Sequence, residues 1–378
     1  MATWFNTSLV QDRSDLALAD TAVTPYLGSR NVEQAFATKV GDTVNVRLPP
    51  TYTASEFSST TSASTITQSK VPVKIEKHFY TRVDVTSAED LENEDNFMGN
   101  IMIPGIQSII SSVEDYNVRR IVGGFYAGGL TGSAGTEITT AAQIFNAEKA
   151  IFANKGNTQN LKGLLTPTSY SNLAQLSTNT SIDYNPNGPA NLAGNMIGPV
   201  GGVNELVRSR YAGTQAVTTL AGTPVTQGTG SAGTRVTLVI DGLSNDDGDI
   251  VYSGYAFTLD GLSGSFIVQE DAVVDTGAVT LVVKAPVAWT DGLALTAVTA
   301  IKENAIFNPA GVAIAILPGM SGSNTMTVRA RDAQGQDAGF GIRVTESEVS
   351  TSTLNKSFVF DCFLACQVIR PEFGVVCN

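Results

Sequence analysis

The sequence predicts an α+β protein of several domains, with a small all-β domain inserted into a mixed α/β unit. Three observations point there. Residues 95–123 carry apolar side chains at helical spacing over a length few globular helices reach. Two strand-like arms, "TVNVRL" and "KVPVKI", bracket a polar tract near the N-terminus. Beyond Ala221 the composition changes to short alternating segments punctuated by Gly and Asp, as far as about Thr299.

The elements follow in chain order. Residues 1–38 show weak periodicity and read as an extended arm holding at most one short helix. Residues 39–78 form a tongue: between its arms, twelve of nineteen residues are Ser or Thr. With about 12 residues per arm it reaches roughly 40 Å. A long polar projection without catalytic equipment is expected to touch another molecule. "KIEKHFYTRVDVTSAED" then returns as an alternating strand.

The long helix comes next, with a stripe of Ile106, Ile109, Ile110, Val113, Ile121 and Val122. Asp95 or Asn96 caps its start, and Pro104 either kinks it or marks a second start. At about 28 residues it would be a beam of about 40 Å. The glycines of residues 123–135 read as a flexible loop. "TTAAQIFNAEKAIFANKG" predicts a second helix with a Thr140–Gln143 capping box and Gly156 as its C-cap. "LLTPTSYSNLAQL" predicts a third, with Thr166 as N-cap and Pro167 at its first position. A short helix is expected around "VNELVRSRYAG".

From "GTPVTQGTGSAGT" onward, the segments "RVTLVID", "YAFTLDG", "GSFIVQED", "AVTLVVKA" and "LALTAVT" describe a β barrel or sandwich of about 75 residues. Helical signal resumes at "NPAGVAIAIL". The chain closes in a meander, "TMTVRAR", "GFGIRVTE" and "KSFVFDCFLACQVI". The last strand is apolar on both faces and should lie centrally in a sheet.

Composition narrows the function. Of 378 residues only 15% are charged, and the net charge is −12. An ordinary soluble domain carries ~25% charged residues. A surface so poor in charge is expected to be covered, most cheaply by further copies of the chain. The acidic balance and the scattered basic residues argue against gripping a phosphate backbone. No secretory signal and no apolar run of membrane-spanning length is found, so no membrane is expected.

Chemistry is sought and not found. His78 is the single histidine, which excludes two-histidine metal sites and leaves packing or hydrogen bonding as its expected role. Cys362 and Cys366 stand about 13 Å apart on one strand face, a poor zinc clamp, and with Cys377 they read as reduced, buried thiols. The glycines after residue 123 lack the phosphate-cradle pattern. "DGLSNDDGD", residues 241–249, is the one concentrated acidic stretch. It lacks the calcium-loop pattern and reads as a solvated hairpin turn or as a contact with basic groups of a neighbour. No enzyme activity, cofactor or metal is expected.

The order of these parts resembles the major capsid proteins of tailed bacteriophages, which share the Hong Kong 97 (HK97) fold. It is most similar to the short-tailed Salmonella-phage-type subfamily, whose coat proteins carry an inserted β-barrel I-domain. "KVGDTVNVRLPP" and "KVPVKIEKHFYTRVDVTSAED" resemble the flanks of that family's E-loop, and "NIMIPGIQSII" its spine helix. "LLTPTSY" and "RSRYAGTQAVTTL" resemble A-domain elements, "GYAFTLDGL" an I-domain strand. "ENAIFNPAGVAIAI" and "QVIRPEF" resemble the closing stretches of the main domain.

The resemblance implies a division of the chain. It comprises an N-arm (1–38), an E-loop (39–78), a P-domain strand and spine helix (79–127) and an A-domain (128–221). The I-domain (222–301), the rest of the A-domain (302–338) and a P-domain meander (339–378) complete it. It also implies self-assembly into pentamers and hexamers of an icosahedral shell around double-stranded DNA, put together in the host bacterial cytoplasm. Scaffolding, portal and decoration proteins are the implied partners. The tongue would lie across a neighbouring subunit, giving Thr51, Tyr52, Phe57 and Ile66 as contact residues, with Asp246, Asp247 and Asp249 bracing a second contact. Its tip holds no lysine, so no self-crosslink is expected. An encapsulin-like enzyme compartment and a β-rich surface adhesin are the alternatives.

Overall fold

A central apolar strand and a helix lined with isoleucine organise the chain. The computed structural model describes residues 23–36, 40–49, 70–86, 103–126, 129–132, 135–175, 196–197, 200, 202–213, 220–252, 255–297, 301–319, 325–331, 337–346 and 355–378. They pack as two compact units. One holds residues 30–109 and 313–369, the other residues 18–29, 110–312 and 370–378.

In the first unit, Thr43–Arg47 pairs antiparallel with Lys70–Lys74 as a two-stranded hairpin. Alternation decides its faces. Val73 is fully buried, and with Ile75, Ala313, Ala315 and Ala365 it forms a small core. The alternate positions Thr43, Asn45 and Arg47 are exposed. A five-stranded sheet is built on Asn355–Val368, which pairs with Lys77–Thr86 and with Asp337–Glu346. Phe360, Cys362, Leu364 and Ala365 are all buried, so both faces of this strand are covered, as its apolar sequence requires. Thr325–Arg331 and Val312–Leu317 complete the sheet. The latter is "VAIAIL", expected to be helical; five of its six residues are buried, and burial of both faces favours a strand.

Helix α1 runs Ile103–Tyr126, and at 24 residues it is about 36 Å long. Its start differs from the expected one. Pro104 is its second residue, where a missing N–H costs nothing, and the expected caps Asp95 and Asn96 lie outside the described residues. The stripe is as read: Ile106, Ile109, Ile110, Val113, Ile121 and Val122 are all buried. Gly105 permits the helix to approach the sheet, since a Cβ there would stand 2.6 Å from the Phe360 ring.

The second unit carries a six-stranded mixed sheet. Its order is Leu130–Thr131, Gly374–Cys377, Ala305–Phe307, Leu161–Leu165, Val203–Arg208 and Met196–Ile197. Helix α2, Ala141–Ala153, and helix α3, Pro167–Ala174, cover it through Ile144, Ala147, Ile151, Tyr170 and Leu173. Three expectations are corrected here. "VNELVRSRYAG" is not a helix: Val203–Arg208 is a strand, parallel to Leu161–Leu165, because burying Val203, Leu206 and Val207 in the sheet outweighs local propensity. The glycine-rich stretch is not one loop, since Gly123 and Gly124 end α1 and Leu130–Thr131 is a strand beside Val376–Cys377. At the end of α2 the left-handed residue is Lys155 (φ 59°), and Gly156 follows it. Gly156 N–H bonds the Ile151 carbonyl and Lys155 N–H the Phe152 carbonyl, a Schellman end one residue earlier than read. Glycine is needed at 156 because a Cβ would stand 2.2 Å from the Glu372 carbonyl oxygen. The caps of α3 match the reading: Thr166 Oγ accepts from Ser169 N–H, and Pro167 follows.

The segment 222–297 folds as an eight-stranded sheet around its own core, with Phe257, Phe266, Leu281 and Trp289 at the centre. Gly222–Gln227 pairs with Gly233–Leu243, which pairs with Ala278–Ala285; Phe266–Val268, Ala256–Leu259 and Leu295–Ala297 follow. Thr226 N–H then bonds the Leu293 carbonyl at 2.9 Å and Gly292 N–H the Thr226 carbonyl at 2.8 Å. These bonds bring the strand path back to its start, so the ring closes on itself. Ile250–Val251 and Ala272–Asp275 lie outside the ring as a pair.

Candidate assembly surface

The residues with chemistry are mostly committed to structure. His78 Nε2 lies 2.8 Å from Asp361 Oδ2, and its ring stacks on Phe363 at 4.2 Å. Asp361 is buried and also takes the Arg343 guanidinium, whose Nε donates to Oδ1 at 2.8 Å. The carboxylate is therefore saturated by two donors from neighbouring strands, which is the packing and hydrogen-bonding role the sequence assigned to His78. Nothing in the sequence pattern marked Asp361 or Arg343 as its partners. The hairpin register, which sets Arg343 opposite Asp361, is the signal that would have found them.

Cys362, Cys366 and Cys377 are free and buried. Burial pushes the Cys362 thiol up to about 12, with the nearby Asp361 charge adding to it. A thiol held protonated is neither nucleophile nor metal ligand. Among the described residues no group of three or more His, Cys, Asp or Glu could hold a metal ion. Ser169 donates to Glu137 Oε2 at 2.6 Å and Lys302 Nζ lies 3.3 Å from Oε1. Ser169 is fully buried, and its cluster ties the start of α3 to the 137–138 segment. No described helix is long and apolar enough to cross a membrane.

What remains is surface. Thr51, Tyr52, Phe57 and Ile66 lie outside the described residues, as does the whole tip of the tongue; its base is the hairpin. Asp246, Asp247 and Asp249 form the turn between Gly233–Leu243 and Ile250–Val251. Two of the three carboxylates are engaged, one with the neighbouring 276–277 turn and one within its own. Asp247 Oδ1 accepts from Thr276 N–H at 2.7 Å, and Asp249 Oδ2 accepts from Asn245 Nδ2 at 3.2 Å. Asp246 is exposed. The segment is not the expected hairpin turn: Gly233–Leu243 pairs with Gly222–Gln227 and Ala278–Ala285, and Ile250–Val251 with Ala272–Asp275, so it links two strands that are not neighbours.

Sequence reading missed the exposed apolar positions. Val273 and Ile250 are cross-strand partners, 57% and 40% exposed. Phe145 and Phe152, seven residues apart on α2, are 55% and 74% exposed. Exposed apolar residues mark a contact surface when they gather into one patch, whereas single ones are ordinary.

No family model and no curated protein matches the sequence. Solved structures do. A chain from the capsid structure of the cyanophage P-SCSP1u is 10% identical, with a TM-score of 0.51 over 94% of this chain and 87% of that one. A chain of Mycobacterium phage Che8 is 13% identical, with a TM-score of 0.49 over 94% and 90%. Identity this low reports fold alone, and this chain shares the fold of the chain in the cyanophage capsid structure.

Proposed function

We propose that the chain is the major capsid protein of a tailed bacteriophage, self-assembling into pentamers and hexamers of an icosahedral shell around double-stranded DNA. The observation that carries this reading is the likeness of fold to a cyanophage capsid chain across 94% of the sequence. In HK97 terms the 39–78 tongue is the E-loop, α1 the spine helix, the sheet built on Asn355–Val368 the P-domain, the six-stranded sheet the A-domain and the closed 222–297 ring the inserted I-domain. The mechanism is assembly, and no residue is asked to catalyse. A net charge of −12 suits a wall that stays near DNA without adhering to it. Scaffolding and portal proteins direct closure, and assembly takes place in the cytoplasm of the bacterial host.

The test is expression of the chain with and without its scaffolding partner, followed by velocity sedimentation. Closed particles support the reading, and a chain that stays monomeric under both conditions contradicts it. DNA inside particles from infected cells separates a capsid from an enzyme compartment.

Asp246 is the proposed bracing contact of the acidic turn. Asp246→Ala leaves the Asp247 and Asp249 bonds in place, so the variant should fold normally and form shells that dissociate at lower denaturant. Shells of unchanged resistance would remove Asp246 from the contact.

A further inference from the structure

We infer that the outward face of the Thr43–Arg47 and Lys70–Lys74 hairpin docks on the acidic face of the 222–297 domain of a second copy of this chain. The inference rests on the capsid reading and names the partner surface of the tongue.

The hairpin register places Arg47 directly opposite Lys70, and Lys74 opposite Thr43, all on the exposed face. Like charges facing each other across a two-stranded sheet repel, and an isolated hairpin is weakened by such a pair. Among the described residues no carboxylate pairs with Arg47, Lys70 or Lys74. The strip is therefore built as though an anionic surface will meet it.

That surface exists on the same chain. Residues 222–297 hold nine carboxylates against two basic residues, −7 of the chain's formal −12. One of the two, Lys284, is half-buried, its amine pulled down by burial and held up by the charge of Glu372. On one side of this domain the exposed pair Ile250 and Val273 adjoins a groove of about 430 Å³ that Glu270, Asp271 and Asp275 help to line. The acidic turn is anchored beside it, through Val274 N–H to the Asp249 carbonyl at 2.8 Å. An apolar centre rimmed by carboxylates suits Lys and Arg side chains, whose methylene stems cover the valine while their heads reach the rim.

Charge also disfavours the pairing of like surfaces. Two hairpins repel each other, and so do two acidic domains, leaving the unlike pair as the favourable contact between identical chains. A contact between two different patches of one chain is heterologous, the kind that closes rings and shells.

The experiment treats shells assembled from a mixture of ¹⁴N and ¹⁵N chains with a zero-length carbodiimide, which joins an amine to a carboxylate only in close contact. Peptides are then mapped by mass spectrometry. Crosslinks of mixed isotope from Lys70 or Lys74 to residues 246–249 or 270–275 are expected. In parallel, Arg47→Glu with Lys70→Glu should raise the concentration needed for assembly about tenfold. Adding Asp271→Lys with Asp275→Lys should restore it. Shells in which these lysines join other carboxylates, join none, or join only within one isotope overturn the inference and leave the capsid reading standing. A wild-type chain that never forms shells overturns both.

Discussion

Glu114 is a carboxylate 1% exposed on α1, and its Oε1 accepts from the N–H groups of Val23 and Thr24, the latter at 2.8 Å. Burial lifts it from its ordinary 4.5 to about 7, against the pull of those bonds. The folded chain therefore takes up a proton that the unfolded chain does not hold between pH 4.5 and 7. This contribution to stability is full below pH 4.5 and lost as pH rises through 7. Glu303, raised to about 6 by burial, acts with the same sign. Glu114→Gln keeps an acceptor for both N–H groups and removes the titration. It should flatten the fall, gaining about 3 kcal/mol over wild type at pH 8 relative to pH 4, read from urea unfolding at the two pH values. Asp361 acts through its partners. Removing it leaves the Arg343 guanidinium and His78 without their shared acceptor, so Asp361→Ala should cost about 3 kcal/mol in the same assay. At this scale the sequence was legible for residue class and silent on partners. His78 was readable as structural because one histidine cannot build a two-histidine site, whereas Asp361 became readable only through strand register.

Elements were legible where periodicity and caps agreed. The Thr166–Pro167 start of α3 and the doubly apolar last strand of the meander appear as read, and the stripe of α1 is buried as read although the described helix begins at Ile103. Val203–Arg208 and Val312–Leu317 were misread because short apolar runs satisfy helix and strand alike. Only the neighbours in the sheet decide, and those are distant in sequence. The end of α2 makes the same point in one turn. A glycine near a helix end suggests the left-handed position, yet here it answers the approach of Glu372, more than 200 residues away. Two substitutions separate the roles. Lys155→Gly should stabilise by about 1 kcal/mol, by relieving the left-handed conformation. Gly156→Ala should cost about 2 kcal/mol through the clash with the carbonyl oxygen. Thermal unfolding of both variants gives the signs; equal and opposite effects at the swapped positions would restore Gly156 as the left-handed residue.

For the whole molecule, low charge, a two-stranded hairpin, a separately cored β domain and exposed apolar positions are the features that the proposed assembly would use. Each is modest alone. The proposed shell would multiply them, since every contact would repeat in every copy. The candidate surface was half legible: the tongue and the acidic turn stand out in the sequence, while the Ile250–Val273 pair and the Arg47–Lys70 opposition emerge only from strand register. The most direct measurement is cryo-electron microscopy of the purified chain, expressed with and without the proposed scaffolding protein. Closed icosahedral shells, with residues 39–78 laid over an adjacent subunit, are the expected result. A chain that remains a monomer, or particles in which that hairpin meets no neighbour, would contradict the account.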